Sequence, residues 1–223
     1  MLARLHHRNP PAQRRRQSGI SMLEVLISVF VVAIGLLGIA ALQFMSKRSN
    51  FEAVQRTTAT LLAHDIIERM RANPSQLLDY AGDAATPITP LGGPTATRTQ
   101  PATDCTASAC TPFQLSQYDL WEWETALNGL SDEDTASKTG TGGLVAPTAC
   151  IITETAAGML DRSGKYTVAI AWRGATQMAN PVGPKGAEIP FACGESSGKY
   201  DGEDGSTDTH RRVLVVSTYI STR

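Results

Sequence analysis

No acidic side chain occurs among the first 19 residues, which hold five arginines (Arg4, Arg8, Arg14, Arg15 and Arg16) and two histidines. Removing them leaves 15 of the 20 basic side chains against 21 acidic ones, a formal charge of -6. Phosphate contacts need clustered Lys and Arg, so an acidic body excludes a general nucleic-acid binder. Catalytic signatures are equally sparse. The sequence has no H-E-x-x-H zinc pair, and it reads as carrying no G-x-S-x-G nucleophile elbow either. His64 and His210 read as surface or helix-face residues, which leaves an exported enzyme without a constellation. There is no C-x-x-C pair, and neither histidine stands at ligand spacing from a cysteine, so neither a zinc site nor a cofactor is expected. The acidic stretch 195–208 offers Asp201, Glu203, Asp204 and Asp208, but Gly205 stands where an EF-hand ligand belongs, and a solvated loop is the expectation rather than a calcium site.

What is present begins with the apolar run 20–42, 23 residues carrying one charge, Glu24. As a helix it would be about 35 Å long, enough to cross a bilayer. Positive residues stay cytoplasmic, so Arg14, Arg15 and Arg16 hold the N-terminus inside and send the remainder out. A secretory signal cut after Gly38-Ile39-Ala40, or an uncut signal anchor, would satisfy this topology. Neither accounts for Glu24, because a charge within the apolar region costs about 2.5 to 3.5 kcal/mol on insertion scales and marks function by default.

The stretch Gly19-Ile20-Ser21-Met22-Leu23-Glu24, preceded by a basic leader, resembles the processing site of type IV prepilins. Ile20 stands where most pilins carry Phe or Met. The resemblance implies that a prepilin peptidase cuts between Gly19 and Ile20 and methylates the new N-terminus at Ile20. It also implies that Glu24 meets the N-terminal ammonium of a neighbouring subunit. A buried opposite-charge pair is far less costly than either charge alone, so this partner would explain the retained carboxylate.

Beyond the span, Phe44, Phe51, Val54, Leu61, Leu62, Ile66, Ile67 and Met70 recur at spacings near three, four and seven, predicting an amphipathic helix over 43–73 that Pro74 ends. Residues 74–112 hold six of the twelve prolines and many threonines, and read as loop with little regular structure. A second helix is expected over 114–130, with Trp121 in the core, the role of Trp123 open and Asn128-Gly129 as the stop. Residues 131–143 read as a turn-rich linker. Strands are expected at 149–155, 166–172 and 213–220, with a turn at Asp161-Arg162-Ser163-Gly164. Export makes the four cysteines, Cys105, Cys110, Cys150 and Cys193, disulfide candidates. They allow three pairings, of which Cys105 with Cys110 and Cys150 with Cys193 is the favoured set.

Four segments in this order, 59–74, 118–130, 165–172 and 211–220, resemble the PilV family of minor pilins, the type IV pilus modification proteins. That resemblance implies an α+β pilin fold, a long N-terminal helix packed on an antiparallel sheet, with residues 74–223 as a periplasmic head. It further implies a non-enzymatic subunit that helps other minor pilins initiate assembly near the pilus tip. Its partners would be minor pilins, the major pilin, prepilin peptidase and a tip adhesin, and it would sit in the inner membrane before assembly. A type II secretion pseudopilin shares the leader, helix and head, and stands as the alternative.

Overall fold

The computed structural model describes residues 19–82, 87–93, 98–130, 142–154, 162–185 and 188–222. The leader arginines, Thr86, Thr95, Thr97, Asp161 and most of the 131–143 linker therefore lie outside the described residues. In chain order the elements are α1 (Met22–Ala72), a 3-10 turn (Pro74–Gln76), α2 (Leu77–Ala81), α3 (Pro112–Leu127), β1 (Thr148–Thr153), β2 (Gly164–Arg173), α4 (Glu188–Phe191) and β3 (Arg211–Ile220). The architecture is α+β and pilin-like. The chain divides into two compact units, Met1–Ser46 and Lys47–Arg223.

In the first unit the described residues form the N-terminal part of α1. Ser21 starts it, with its Oγ accepting the Leu23 N–H at 3.2 Å. Side chains from Ile20 to Leu42 are exposed all round. Helix α1 is long and apolar enough to cross a membrane.

The second unit is built on the rest of α1. Ala59, Ala63, Ile66, Ile67 and Met70 recur at helical spacing and are buried. They join Leu120, Trp123 and Leu127 of α3 and Tyr166, Val168, Ile170 and Trp172 of β2 in one core. The sheet has the order β1-β2-β3, antiparallel throughout, with Ile151 opposite Val168 and Val168 opposite Val216. The apolar residues predicted for α1 divide between two sides. Leu62, Ile66, Ile67 and Met70 pack on the core, whereas Phe44, Phe51, Val54 and Leu61 are exposed.

Two expectations are corrected. The segment after Asn73 is not simply loop. Pro74 opens a 3-10 turn, where its missing N–H costs nothing. Helix α2 follows at once and buries Leu77, Tyr80 and Ala81 completely. Trp121, assigned to the core from the sequence, is only partly buried, and Trp123, whose role was open, is the core residue. Trp123 is 0% exposed and donates Nε1–H to the Leu62 carbonyl at 2.8 Å, while Trp121 is half-exposed beside the Tyr118 ring. Leu120, Trp123 and Leu127 are spaced three and four apart, so Trp121 sits about 100° off their stripe. Gly129 ends α3 at φ +72°, and a Cβ there would come within 1.8 Å of the Gly142 carbonyl oxygen.

The burial difference predicts unequal costs. Trp123→Ala should lower unfolding free energy by about 3–5 kcal/mol, and Trp121→Ala by about 1 kcal/mol, in denaturant titrations of the detergent-solubilised chain. Equal losses would contradict the burial difference.

Candidate functional site

The residues singled out at the N-terminus lie together at the start of α1. Gly19 and Ile20 are exposed and precede the first helical residue. Glu24 is in the first turn, where the positive end of the helix dipole favours a carboxylate. Its own carbonyl accepts the Ser28 hydroxyl at 2.7 Å, leaving the side chain exposed. A cut before Ile20 would leave its ammonium four residues ahead of Glu24.

In the head, disulfides join Cys105 to Cys110 and Cys150 to Cys193. The first closes a turn just ahead of α3, whose Thr111 and Gln114 form a reciprocal capping box. The second ties β1 to the long connection between β2 and β3. A loop of that length gains about 3–4 kcal/mol from closure in the chain-entropy account.

Sequence reasoning missed the polar groups that hold this connection. Arg211, 1% exposed, donates to the carbonyls of Phe191, Cys193 and Pro181 and to Asn180 Oδ1. Lys199 Nζ donates to Thr148 Oγ1 at 2.9 Å, and desolvation pushes its pKa down. The Tyr200 hydroxyl donates to the Ala146 carbonyl at 2.9 Å, and burial pushes that phenol up to about 12. Nothing in the local sequence marks these roles, because their partners are mainly carbonyls far along the chain.

A second network ties α1 to α3. The Arg69 guanidinium reaches Asp65 at 3.0 Å, Asp119 at 3.0 Å and Glu122 at 2.6 Å. Tyr80 donates to Asp119, and burial raises its pKa. Glu124, fully buried, accepts the backbone N–H groups of Gly92 at 2.8 Å and Arg98 at 3.1 Å.

The spacing G-x-S-x-G does occur, at Gly194-Glu195-Ser196-Ser197-Gly198, which corrects the absence expected from sequence. It forms turns rather than a strand-to-helix elbow, and the Ser196 N–H binds Asp208 Oδ2 at 2.8 Å. His64 is exposed on α1, and the His210 ring pairs with the Gly174 carbonyl at 3.0 Å. In the acidic loop Asp204 Oδ1 accepts the Ser206 hydroxyl and N–H, which lowers its pKa, while Asp201 Oδ1 accepts the Asp208 N–H. Among the described residues no group of three or more His, Cys, Asp or Glu is placed to hold a metal.

Two family models match the chain. Residues 14–40 match the prokaryotic N-terminal methylation motif, and residues 41–121 match the Tt1218-like family, described as type IV pilin Tt1218. No curated protein and no solved structure matches it. The first match contains Gly19, Ile20 and Glu24. The second covers the amphipathic part of α1, α2, the first disulfide and the start of α3. Together they support a type IV pilin family and a pilin or pseudopilin role.

The raised Tyr200 pKa sets a pH dependence. Its folded value lies above the ordinary 10, so the stabilisation is complete below pH 10 and is lost as pH rises from 10 through 12. The melting temperature of the solubilised chain should fall across that window, and Tyr200→Phe should flatten part of the fall while costing about 1 kcal/mol at neutral pH. An identical alkaline profile in the variant would exclude Tyr200 as a source.

Proposed function

We propose that this chain is a minor pilin of the PilV type, anchored in the inner membrane as a precursor, processed between Gly19 and Ile20, and taken into the type IV pilus with other pilins. The carrying observation is the methylation-motif match over residues 14–40, at the head of a helix long and apolar enough to cross a membrane. The pilin match over residues 41–121 supports the same reading, as does the order of the four PilV-like segments. A methylation motif implies a prepilin peptidase as processing partner and other pilins as assembly partners. Priming of assembly at the tip, and contact with a tip adhesin, rest on the PilV resemblance.

Glu24 supplies the physical step. In lipid the carboxylate is uncompensated and costly, whereas beside the methylated ammonium of a neighbouring Ile20 it is paired. The pairing favours the filament over the free subunit and fixes axial register.

The mass and N-terminal sequence of the mature protein should be determined from membrane and sheared-pilus fractions. A chain beginning at N-methylated Ile20 in both is the expected result, and a soluble chain beginning at Ala41 would overturn the reading. Presence in membranes with absence from pili would point to a secretion pseudopilin. Glu24→Ala should leave cleavage intact and reduce incorporation by about tenfold or more, whereas replacing Gly19 by a bulkier residue should block cleavage. Normal incorporation of the Glu24 variant would remove the proposed pairing.

A further inference from the structure

The two edges of the three-stranded sheet are treated differently. Strand β1 is partly covered, because Leu91 and Ala149 exchange N–H···O bonds of 2.8 Å in both directions. Strand β3 is not. Among the described residues, no backbone group of residues 213–220 bonds to anything but β2. Alternate residues of an antiparallel strand turn both polar groups outward, so about four residues offer unpaired N–H and C=O groups. The sequence there, Val-Leu-Val-Val-Ser-Thr-Tyr-Ile, contains no Lys, Asp, Glu or Pro, the residues by which proteins blunt an edge.

A hollow of about 560 Å³ lies at the start of this edge, lined by Glu52, Arg56, Trp172, Arg211, Arg212 and Val213 among others. Three guanidinium groups and one carboxylate line it, and a second carboxylate, Glu195, lies 3.7 Å from Arg211 outside the lining. Glu52 is already engaged, accepting the Ala175 N–H at 2.6 Å and lying 3.6 Å from Arg212. Arg211 is saturated by its carbonyls and Asn180. The Arg56 guanidinium is exposed and has no partner among the described residues. Trp172 is 4% exposed, and its Nε1–H has no acceptor among the described residues. An orphan buried donor beside an unclaimed guanidinium calls for an anionic acceptor.

We propose that residues 213–220 seat an extended strand of another protein, which pairs with the open edge of β3 and places a carboxylate in the hollow against Arg56 and Trp172. Main-chain bonds supply affinity, and the carboxylate sets register and direction. A second copy of this chain does not fit. Its β3 carries no acid to offer the hollow. Antiparallel self-pairing centred on Val215 would also bring Arg212 of each copy opposite Thr218 of the other, where Arg71 is bound at 2.6 Å. The partner strand is therefore apolar or hydroxylic along its length and acidic at the end beside Val213. This surface is independent of leader processing.

The test uses the mature full-length chain in detergent micelles and a synthetic peptide, acetyl-Thr-Val-Thr-Val-Thr-Val-Thr-Asp-amide. Amide exchange within residues 213–220 should slow by about tenfold at millimolar peptide. Arg56→Ala, or Asn for Asp in the peptide, should each weaken binding by about fivefold. A peptide N-methylated along its pairing edge should give no protection. The proposal is overturned by unchanged exchange at 213–220, by protection confined to residues 148–153, or by affinity indifferent to both charge changes. Protection that grows with protein concentration alone would assign the edge to a second copy and overturn it equally.

Discussion

The head depends on the burial of one stripe of α1. A three-stranded sheet has too little surface to fold alone, and its inward face, Tyr166, Val168, Ile170 and Trp172, must be covered. Ala59, Ala63, Ile66, Ile67 and Met70 contribute to the cover, with α2 and α3 completing it. The same helix is apolar elsewhere: Phe51, Val54 and Leu61 are exposed within the head unit. A soluble helix that served only its own head would present polar residues on that side. The excess of apolar surface means that α1 is built to meet two environments, the sheet of its own chain and something outside it.

Polar groups fix what the core leaves loose. Among its described residues the connection between β2 and β3 contains one four-residue helix and is otherwise irregular, so its backbone groups cannot all satisfy one another. Arg211 meets this by donating to three carbonyls from a fully buried position, beside the Cys150–Cys193 bridge that pins the same segment covalently. Glu124 does the reverse for residues 92 and 98, accepting two backbone N–H groups. The cost of burying each charge is offset only while every partner is in place, so these segments hold their shape or lose it as units.

How far the sequence was legible follows from the range of the forces involved. The 3.6-residue recurrence along α1 and the β-branched runs of β2 and β3 are local, and they located the elements to within a few residues. The failures came where a distant partner decides. Trp121 and Trp123 differ by two positions on one helix, and the second is the buried one because it shares the core-facing stripe of Leu120 and Leu127, where its Nε1–H meets the Leu62 carbonyl. Pro74 was legible as a helix stop, but the restart after it depends on Tyr80 and Leu77 finding the core. The leader motif was legible because its spacing is itself the recognised object, whereas Arg211 and Lys199 act on carbonyls that carry no residue identity.

The N-terminal part of α1 poses a separate problem of stability. Its side chains from Ile20 to Leu42 are exposed in the isolated chain, so no tertiary packing holds it. In water such a surface would be an aggregation site, while in lipid every backbone group is already satisfied within the helix and the apolar surface carries no penalty. The sole exception is Glu24, the one group for which lipid is worse than water. The segment is therefore at rest in a membrane except at one carboxylate, and an environment that keeps the apolar surroundings while adding a fixed cation beside that carboxylate is lower in free energy than either solvent. The bundle of like helices proposed above, each offering an N-terminal ammonium, would meet both conditions.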